Sequence, residues 1–428
     1  MGRWLINKLH ELGHRLALFA GWVEPPQRWP LSSLGKGNIK MCANATKVVG
    51  RLLEAGYQTY MVGGCVRDVI YDVEPKDFDI VSAATPEVIK KVFGRKARII
   101  GRRFKIVHVM EGGDIIEVST FRAHHSWLST LWKSKKQNNN IYGTLIQDVW
   151  RRDFSCNALY YDVKTQEVID YVSGVNAIQN KSIQVLGEPA QRIEDDPVRA
   201  LRAVRFKAKT GFVIEKRLED AIKLHGNYLE RASSERLLVE VTKLFSFGHA
   251  AKAWILLSEY KLLFVLFPGF KNVGQEKMQH YDRFITRALQ NIDHRFHAGQ
   301  KLSTSFLFAV LLWPILQTKL QAHNKKTPRN VNLQQVMGQV FKEEAKIVAM
   351  PKRLQEAVMI IWQMQSDFRR KFKQAHSVVK NPRIKVAYEF LTTQAQIDES
   401  VVDLAIKWQP FIEKAQQIKN AGLKTTHD

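Results

Sequence analysis

Tyr60-Met61-Val62-Gly63-Gly64-Cys65-Val66-Arg67-Asp68, followed a few residues on by Lys76-Asp77-Phe78-Asp79-Ile80-Val81, decides how this chain is read. An apolar run ends in a glycine pair, a short segment with Arg-Asp follows, and an Asp-x-Asp leads into a second apolar run. Residues two apart on a strand point to one face, so Asp77 and Asp79 are predicted to close on one cation with Phe78 packed behind them. Oxygen ligands of this kind suit a hard divalent ion, magnesium. Gly63 and Gly64 carry no side chains, so their backbone N–H groups can approach a triphosphate closely, and Arg67 can meet its charge. Taken singly, an Asp-x-Asp is common at solvated strand ends and a Gly-Gly is an ordinary turn. The order strand, Gly-Gly, short helix, Asp-x-Asp is far more specific.

Outward from that stretch, Asn44 is predicted to cap a helix running to Ala55, with Val48, Leu52 and Leu53 on its buried side and Gly56 as its stop. Thr85-Pro86 starts another helix, and strands follow at Arg98 to Ile100, Phe104 to Val109 and Ile115 to Thr120, the last two joined at Gly112-Gly113 as a hairpin. Past Ile214 the apolar spacing becomes helical, over Glu215 to Leu224, Glu235 to Phe245 and Ala250 to Leu257. The apolar stretch Lys301 to Leu320, interrupted at Trp313-Pro314, reads as a pair of core helices. The fold class is thus α+β: a small mixed sheet with helices, then an all-α body.

The 428 residues predict two or three domains, and 45% apolar residues suffice for ordinary cores. A net charge of +24 and a pI near 9.8 predict attraction to polyanions. Nucleic acid fits better than a membrane, since no apolar run is read as reaching the ~18–20 residues of a spanning helix. Cys42, Cys65 and Cys156 lack Cys-x-x-Cys spacing, which argues against a zinc site or disulfide framework and suits a reducing cytoplasm. Met1 to Gly21 reads as an amphipathic surface helix or an organelle presequence, and Pro25 to Gly37 as a linker. Lys133 to Asn140, KSKKQNNN, is either a loop along an RNA backbone or a solvated loop. Basic clusters at Lys325-Lys326, Arg329, Lys352-Arg353, Arg369-Arg370-Lys371-Lys373 and Lys380-Arg383 are candidate RNA contacts or solvated helix faces.

Four ordered motifs, GGCVRD with KDFDIV, IIEVSTFR from Ile115 to Arg122, RRDFSCNAL from Arg151 to Leu159, and EDDPVRALRAVRF from Glu194 to Phe206, carry a family resemblance. Residues 43 to 250 resemble the nucleotidyltransferases of the class that contains bacterial poly(A) polymerases and CCA-adding enzymes. The resemblance implies a domain plan: an unassigned extension over 1–40, a catalytic head over 41–185, a helical nucleotide-recognition neck over 186–255, and a helical, basic RNA-binding body over 256–428. It also implies ATP as substrate and an active-site aspartate at Asp153. Glu117, on a strand expected beside the metal strand, is the other candidate for a third carboxylate. Arg152 suits the triphosphate or the orientation of the nucleotide. Asn157 is placed either to hydrogen-bond the sugar or to stabilise a local turn. In the family the acidic pair and first arginine of the fourth motif read the base edge, which corresponds to Asp195, Asp196 and Arg199, although Asp195 stands where glutamate is usual. Asp196-Pro197 reads as a helix N-cap with proline at the first position, and Arg199 and Arg202 then share a basic face opposite Leu201, Val204 and Ala208.

The chemistry of nucleotide transfer calls for two magnesium ions, bridged by Asp77 and Asp79, to activate a hydroxyl and neutralise a leaving group. IIGRRFKIVHV, Ile99 to Val109, resembles the string that marks the bacterial poly(A) polymerases, and LFVLFP at Leu263 to Pro268 and MPKRL at Met350 to Leu354 agree. The leading expectation is template-independent addition of AMP from ATP to RNA 3′ ends, in the cytoplasm, promoting RNA decay alongside decay machinery. A CCA-adding enzyme and a catalytically inactive RNA-binding protein are the alternatives. His108 and the His124-His125 pair lack metal-ligand spacing and read as structural or RNA-proximal.

Overall fold

The structure, a computed structural model, describes residues 24–35, 41–101, 105–123, 142–326 and 332–424. Expectations placed on Met1 to Gly21, Arg102 to Phe104, the His124-His125 pair, Lys133 to Asn140, Arg329 and the side chains of Lys325 and Lys326 lie outside the described residues. Two compact units divide the chain: Met1–Arg192 with Phe212–Leu218, and Ile193–Gly211 with Glu219–Asp428.

The first unit is built on an eight-stranded mixed sheet. Its strands are β1 (Gln27–Pro30), β2 (Thr59–Val62), β3 (Asp79–Ser82), β4 (Ala97–Ile100), β5 (Ile106–Glu111), β6 (Asp114–Thr120), β7 (Leu159–Asp162) and β8 (Glu167–Asp170), in the spatial order β1-β8-β7-β2-β3-β6-β5-β4. Every pairing is antiparallel except β3 with β6. Both faces of β2 are buried, which explains why its sequence is an unbroken run without polar–apolar alternation. Tyr60, Val62, Val81, Phe121, Val149, Tyr160 and Ile169 form one apolar cluster around it.

Helix α1 (Ala43–Glu54) buries Ala45, Val48, Val49 and Leu52 and packs on β2, β5 and β6. Asn44 does not cap it. The helix begins two residues earlier than that cap implies, with Cys42 at the N-cap, so Asn44 falls inside the first turn and its side chain donates to Asp114 at 2.8 Å, tying the helix to the hairpin of β5 and β6. Two further helices, α2 (Gly64–Ile70) and α3 (Pro86–Phe93), follow β2 and β3, and the Thr85 hydroxyl caps α3 through the Val88 N–H at 3.4 Å. Next come α4 (Leu145–Arg151), α5 (Gly174–Gln179) and α6 (Pro189–Asp195). The expected linker is in part a strand: Gln27–Pro30 pairs with β8, because a prolyl residue is tolerated at a sheet edge.

The second unit contains α7 (Val198–Thr210) and is helical in its described residues. Helices Ser234–Leu244 and Ala250–Glu259 both pack on α7. The expected helix pair around Pro314 is one helix, Thr304–Lys326, running through the proline. An interior proline costs roughly 3 kcal/mol, but each large apolar side chain buried returns about 1.5–3 kcal/mol. Phe306 to Leu312, Ile315 and Leu316 are all buried here, so burial outweighs the interruption. Thr304–Asn324 is also long and apolar enough to cross a membrane, against the expectation that no run reaches that length. It is 67% buried within the protein, as in a core helix, and Trp362 donates its indole N–H to the Ala309 carbonyl at 3.0 Å from the neighbouring helix Lys352–Arg370.

Candidate active site

Strand β2 stops at Gly63, whose backbone (φ +80°, ψ −124°) lies where side chains are rarely accommodated. The chain there turns directly into α2. A Cβ added at Gly63 would lie 3.4 Å from the Arg152 guanidinium, and one at Gly64 would lie 3.6 Å from that of Arg67. The glycine pair is thus flanked by two cations. Arg67 does not extend into solvent. It is buried, its Nε donates to Asp68 at 2.7 Å, and its Nη1 donates to the Asn157 carboxamide oxygen at 2.5 Å. The Asn157 carboxamide oxygen thus accepts from Arg67.

Asp79 is the first residue of β3, and Asp77 precedes the strand in non-regular chain, so the strand argument covers only one of the two. Both residues are exposed. Although Asp79 opens onto solvent, the protein packed around it displaces enough water to push its carboxyl up to about 6, with Glu117 and then Asp77 adding like charge and Arg152 opposing them. Glu117 sits opposite Asp79 in the parallel register of β3 and β6. It also pairs across β5 with His108, whose Nε2 lies 3.3 Å from its carboxylate. Asp153 follows Arg152 outside α4, and its carbonyl accepts the Leu186 N–H at 3.2 Å. Glu117 and Asp77 both bear on the charge of Asp79.

This donor set fits a hard cation. The groups are carboxylate oxygens, and their mutual repulsion is what a divalent ion discharges. Among the described residues no group of three or more His, Cys, Asp or Glu is placed to hold a metal ion. Few protein oxygens, with water and phosphate completing the shell, is the arrangement magnesium takes. The neighbouring thiols are not nucleophiles: burial pushes Cys65 up to about 11 and Cys156 up to about 12.

Arg152 is held by residues that sequence reading passed over. Asp148, on α4, is completely buried, and it accepts from Arg151 Nε at 2.7 Å, Arg152 Nη2 at 2.9 Å and the Tyr160 hydroxyl at 2.8 Å. Tyr160, on β7, in turn accepts from Arg152 Nε at 2.8 Å. Burial alone would raise the Asp148 carboxyl, but Arg152 and Arg151 hold it below the usual range. The signal was present as an acid three and four residues before an arginine pair, a helical ion-pair spacing.

In the second unit, α7 begins at Val198, one residue later than expected, and Asp196 still accepts the Val198 N–H at 3.3 Å. Asp196 also accepts from Arg236 at 2.7 Å, while Asp195 is exposed. Leu201, Val204 and Ala208 are buried as expected, but Arg199 is buried too, because helices pack on more than one side of α7. Arg202 is half-buried, and Arg205 lies 3.7 Å from Glu240.

Three family models match the chain: "Poly A polymerase head domain" over residues 59–184, "Probable RNA and SrmB- binding site of polymerase A" over 211–273, and "Polymerase A arginine-rich C-terminus" over 324–428. Poly(A) polymerase I of Escherichia coli O6:H1 is 38% identical over 381 residues, covering 85% of this chain and 81% of that protein. A CCA-adding enzyme of Bacillus cytotoxicus is 34% identical over 240 residues, covering 56% of this chain and 59% of its own length. The solved structure of the Bacillus stearothermophilus CCA-adding enzyme in complex with CTP superposes with a TM-score of 0.61 at 24% identity, over 88% of this chain and 82% of that one, a likeness that bears on fold alone. The first unit's sheet, with its glycine-bounded acidic strand, and the helical second unit are the parts of a nucleotidyltransferase, and the chain belongs to the bacterial poly(A) polymerase family.

Proposed function

We propose that this protein adds AMP from ATP to RNA 3′ ends without a template, releasing pyrophosphate. The observation that carries the reading is the cluster of Asp77, Asp79 and Arg152 around the Gly63-Gly64 turn, in a chain 38% identical to a named poly(A) polymerase over 81% of its length. Asp77 and Asp79 would hold magnesium, for which two ions are expected. When bound, the metal would lower the pKa of the attacking hydroxyl and neutralise the leaving oxygens. Arg152 sets fixed positive charge beside the glycine turn, where the Gly64 backbone N–H would receive the triphosphate; the Gly63 N–H donates instead to the Leu159 carbonyl at 3.2 Å. Arg67 braces that turn from beneath, through Asp68 and Asn157. The third carboxylate is supported on two grounds that point apart: register favours Glu117, and family resemblance favours Asp153. Comparing Glu117→Gln with Asp153→Asn decides between them, the deeper loss of incorporation marking the ligand. Asp195, Asp196, Arg199 and Arg202 would recognise the adenine. The charge of +24 supports RNA as the acceptor, and a reducing cytoplasm suits three free thiols.

The test is incubation of purified protein with unstructured RNA and each NTP alone. Long ATP-dependent tails are expected. Three-nucleotide products confined to tRNA and requiring CTP would overturn the reading in favour of the CCA-adding alternative, which the 34% identity to a CCA-adding enzyme keeps in play.

A further inference from the structure

We infer that Asp148 is a positioning residue for nucleotide transfer: its buried carboxylate, together with the Tyr160 hydroxyl, fixes the Arg152 guanidinium against the Gly63 backbone. This rests on the nucleotidyltransfer reading above.

A carboxylate with no exposed surface is strongly destabilising unless it is paired and hydrogen-bonded on every side. Asp148 meets that condition from three elements at once. Its Oδ1 accepts from the Arg122 backbone N–H at 3.2 Å, where the chain leaves β6, and from Arg151. Its Oδ2 accepts from Arg152 at the end of α4 and from Tyr160 on β7. The two arginines lie three and four residues on, so one helical face delivers both to the same anion.

One carboxylate offset by two arginines leaves an excess of positive charge, and its location is specific. Arg152 Nη1 comes within 3.4 Å of where a Gly63 Cβ would stand, and the charge of Arg152 acts on Asp79. Its backbone is fixed as well, since Arg192 donates to the Arg152 carbonyl at 2.8 Å. With Tyr160 and Asp148 together engaging Nε and Nη2, the Nη1 edge is the one turned to Gly63. An arginine held this way stabilises phosphate charge without first having to be ordered. An ion network serving only the core has no need to aim one guanidinium edge at a glycine of φ +80°.

The test is a pair of double-mutant cycles on the full chain, Asp148→Asn with Arg152→Ala and Tyr160→Phe with Arg152→Ala, reading kcat and KM for ATP, RNA affinity and Tm. A positioning role predicts that Asp148→Asn raises KM for ATP by roughly 10-fold at unchanged RNA affinity, and that either partner change adds less than ~2-fold once Arg152 is alanine. A loss undiminished in the Arg152→Ala background, or a fall in Tm with KM unchanged, overturns the inference. Should Asp148→Asn fail to fold, the Tyr160→Phe cycle decides alone, because phenylalanine keeps the ring packing. Wild-type protein that incorporates none of the four NTPs overturns the nucleotidyltransfer reading and this inference with it. An active wild type with additive losses overturns this inference only.

Discussion

Adding one methyl group at each of the two adjacent glycines should give effects of opposite sign on stability. At Gly63 the backbone (φ +80°, ψ −124°) is accessible to alanine only under strain, of order 1–3 kcal/mol. Space is not the obstacle, since the nearest atom to the new Cβ is Arg152 Nη1 at 3.4 Å, an ordinary contact. The whole cost is therefore conformational. For a unit of roughly 200 residues, ~2 kcal/mol lowers Tm by about 4–8 °C. Gly64 opens α2 without a positive φ, and its Cβ would lie 3.6 Å from Arg67, so alanine fits. Replacing a helical glycine by alanine stabilises by about 0.5–1 kcal/mol. Yet, on the proposed reading, the methyl would stand where a phosphate oxygen comes up to the chain. Gly63→Ala is expected to lower Tm and impair incorporation together, and Gly64→Ala to hold or raise Tm while raising KM for ATP. Calorimetry beside the single-NTP assay reads both. Unchanged Tm in Gly63→Ala would refute the strain argument, and unchanged KM in Gly64→Ala would refute the close approach of the triphosphate.

Asp77→Ala with Asp79→Ala should abolish incorporation and leave RNA affinity, measured without metal, near wild type. Surviving incorporation would overturn the metal assignment and revive the RNA-binding alternative. RNA affinity should fall steeply with salt, log K dropping by ~0.7 per phosphate contact for each tenfold rise in salt on a single strand, so a flat response removes the argument from charge. Glu344, buried, accepts from the Gly269 N–H at 2.9 Å, and burial pushes its carboxyl up to about 7 from 4.5. Because the folded chain keeps this proton where the unfolded chain has lost it, stability falls as pH rises from 4.5 to about 7 and is level above, a loss of order 3 kcal/mol. Glu344→Gln should abolish that slope, giving higher urea midpoints than wild type at pH 8. Parallel curves for the two proteins would refute it.

The elements that ran regular periods were legible in sequence. The hairpin of β5 and β6, the proline-led helix α3 and the buried residues of α7 all followed from spacing, turn residues or caps. What escaped was set by tertiary surroundings. Pro314 reads locally as a break, and only the burial of its neighbours keeps that helix whole. Arg67 and Arg199 look like exposed ligands because arginine usually is exposed, yet each is enclosed by packing that no local pattern encodes. The carboxylate pair and glycines could be singled out in sequence because the chemistry proposed for them needs neighbours in sequence. Tyr160 could not, because its hydroxyl meets Arg152 and Asp148 only once β7 folds back beside α4, whereas Asp148 carried a local signal in its spacing to Arg151 and Arg152.

Strand β1 has a practical bearing on shortened versions of this protein. Its four residues cap the outer margin of β8, and β8 carries Val168 and Ile169 with almost no exposed surface. A fragment started at residue 41 would strip that cover and present a bare row of amides and carbonyls, ready to zip onto another molecule. Fragments meant to stay monodisperse should therefore begin no later than Glu24, and sedimentation of the two versions side by side would register the difference as self-association of the shorter one.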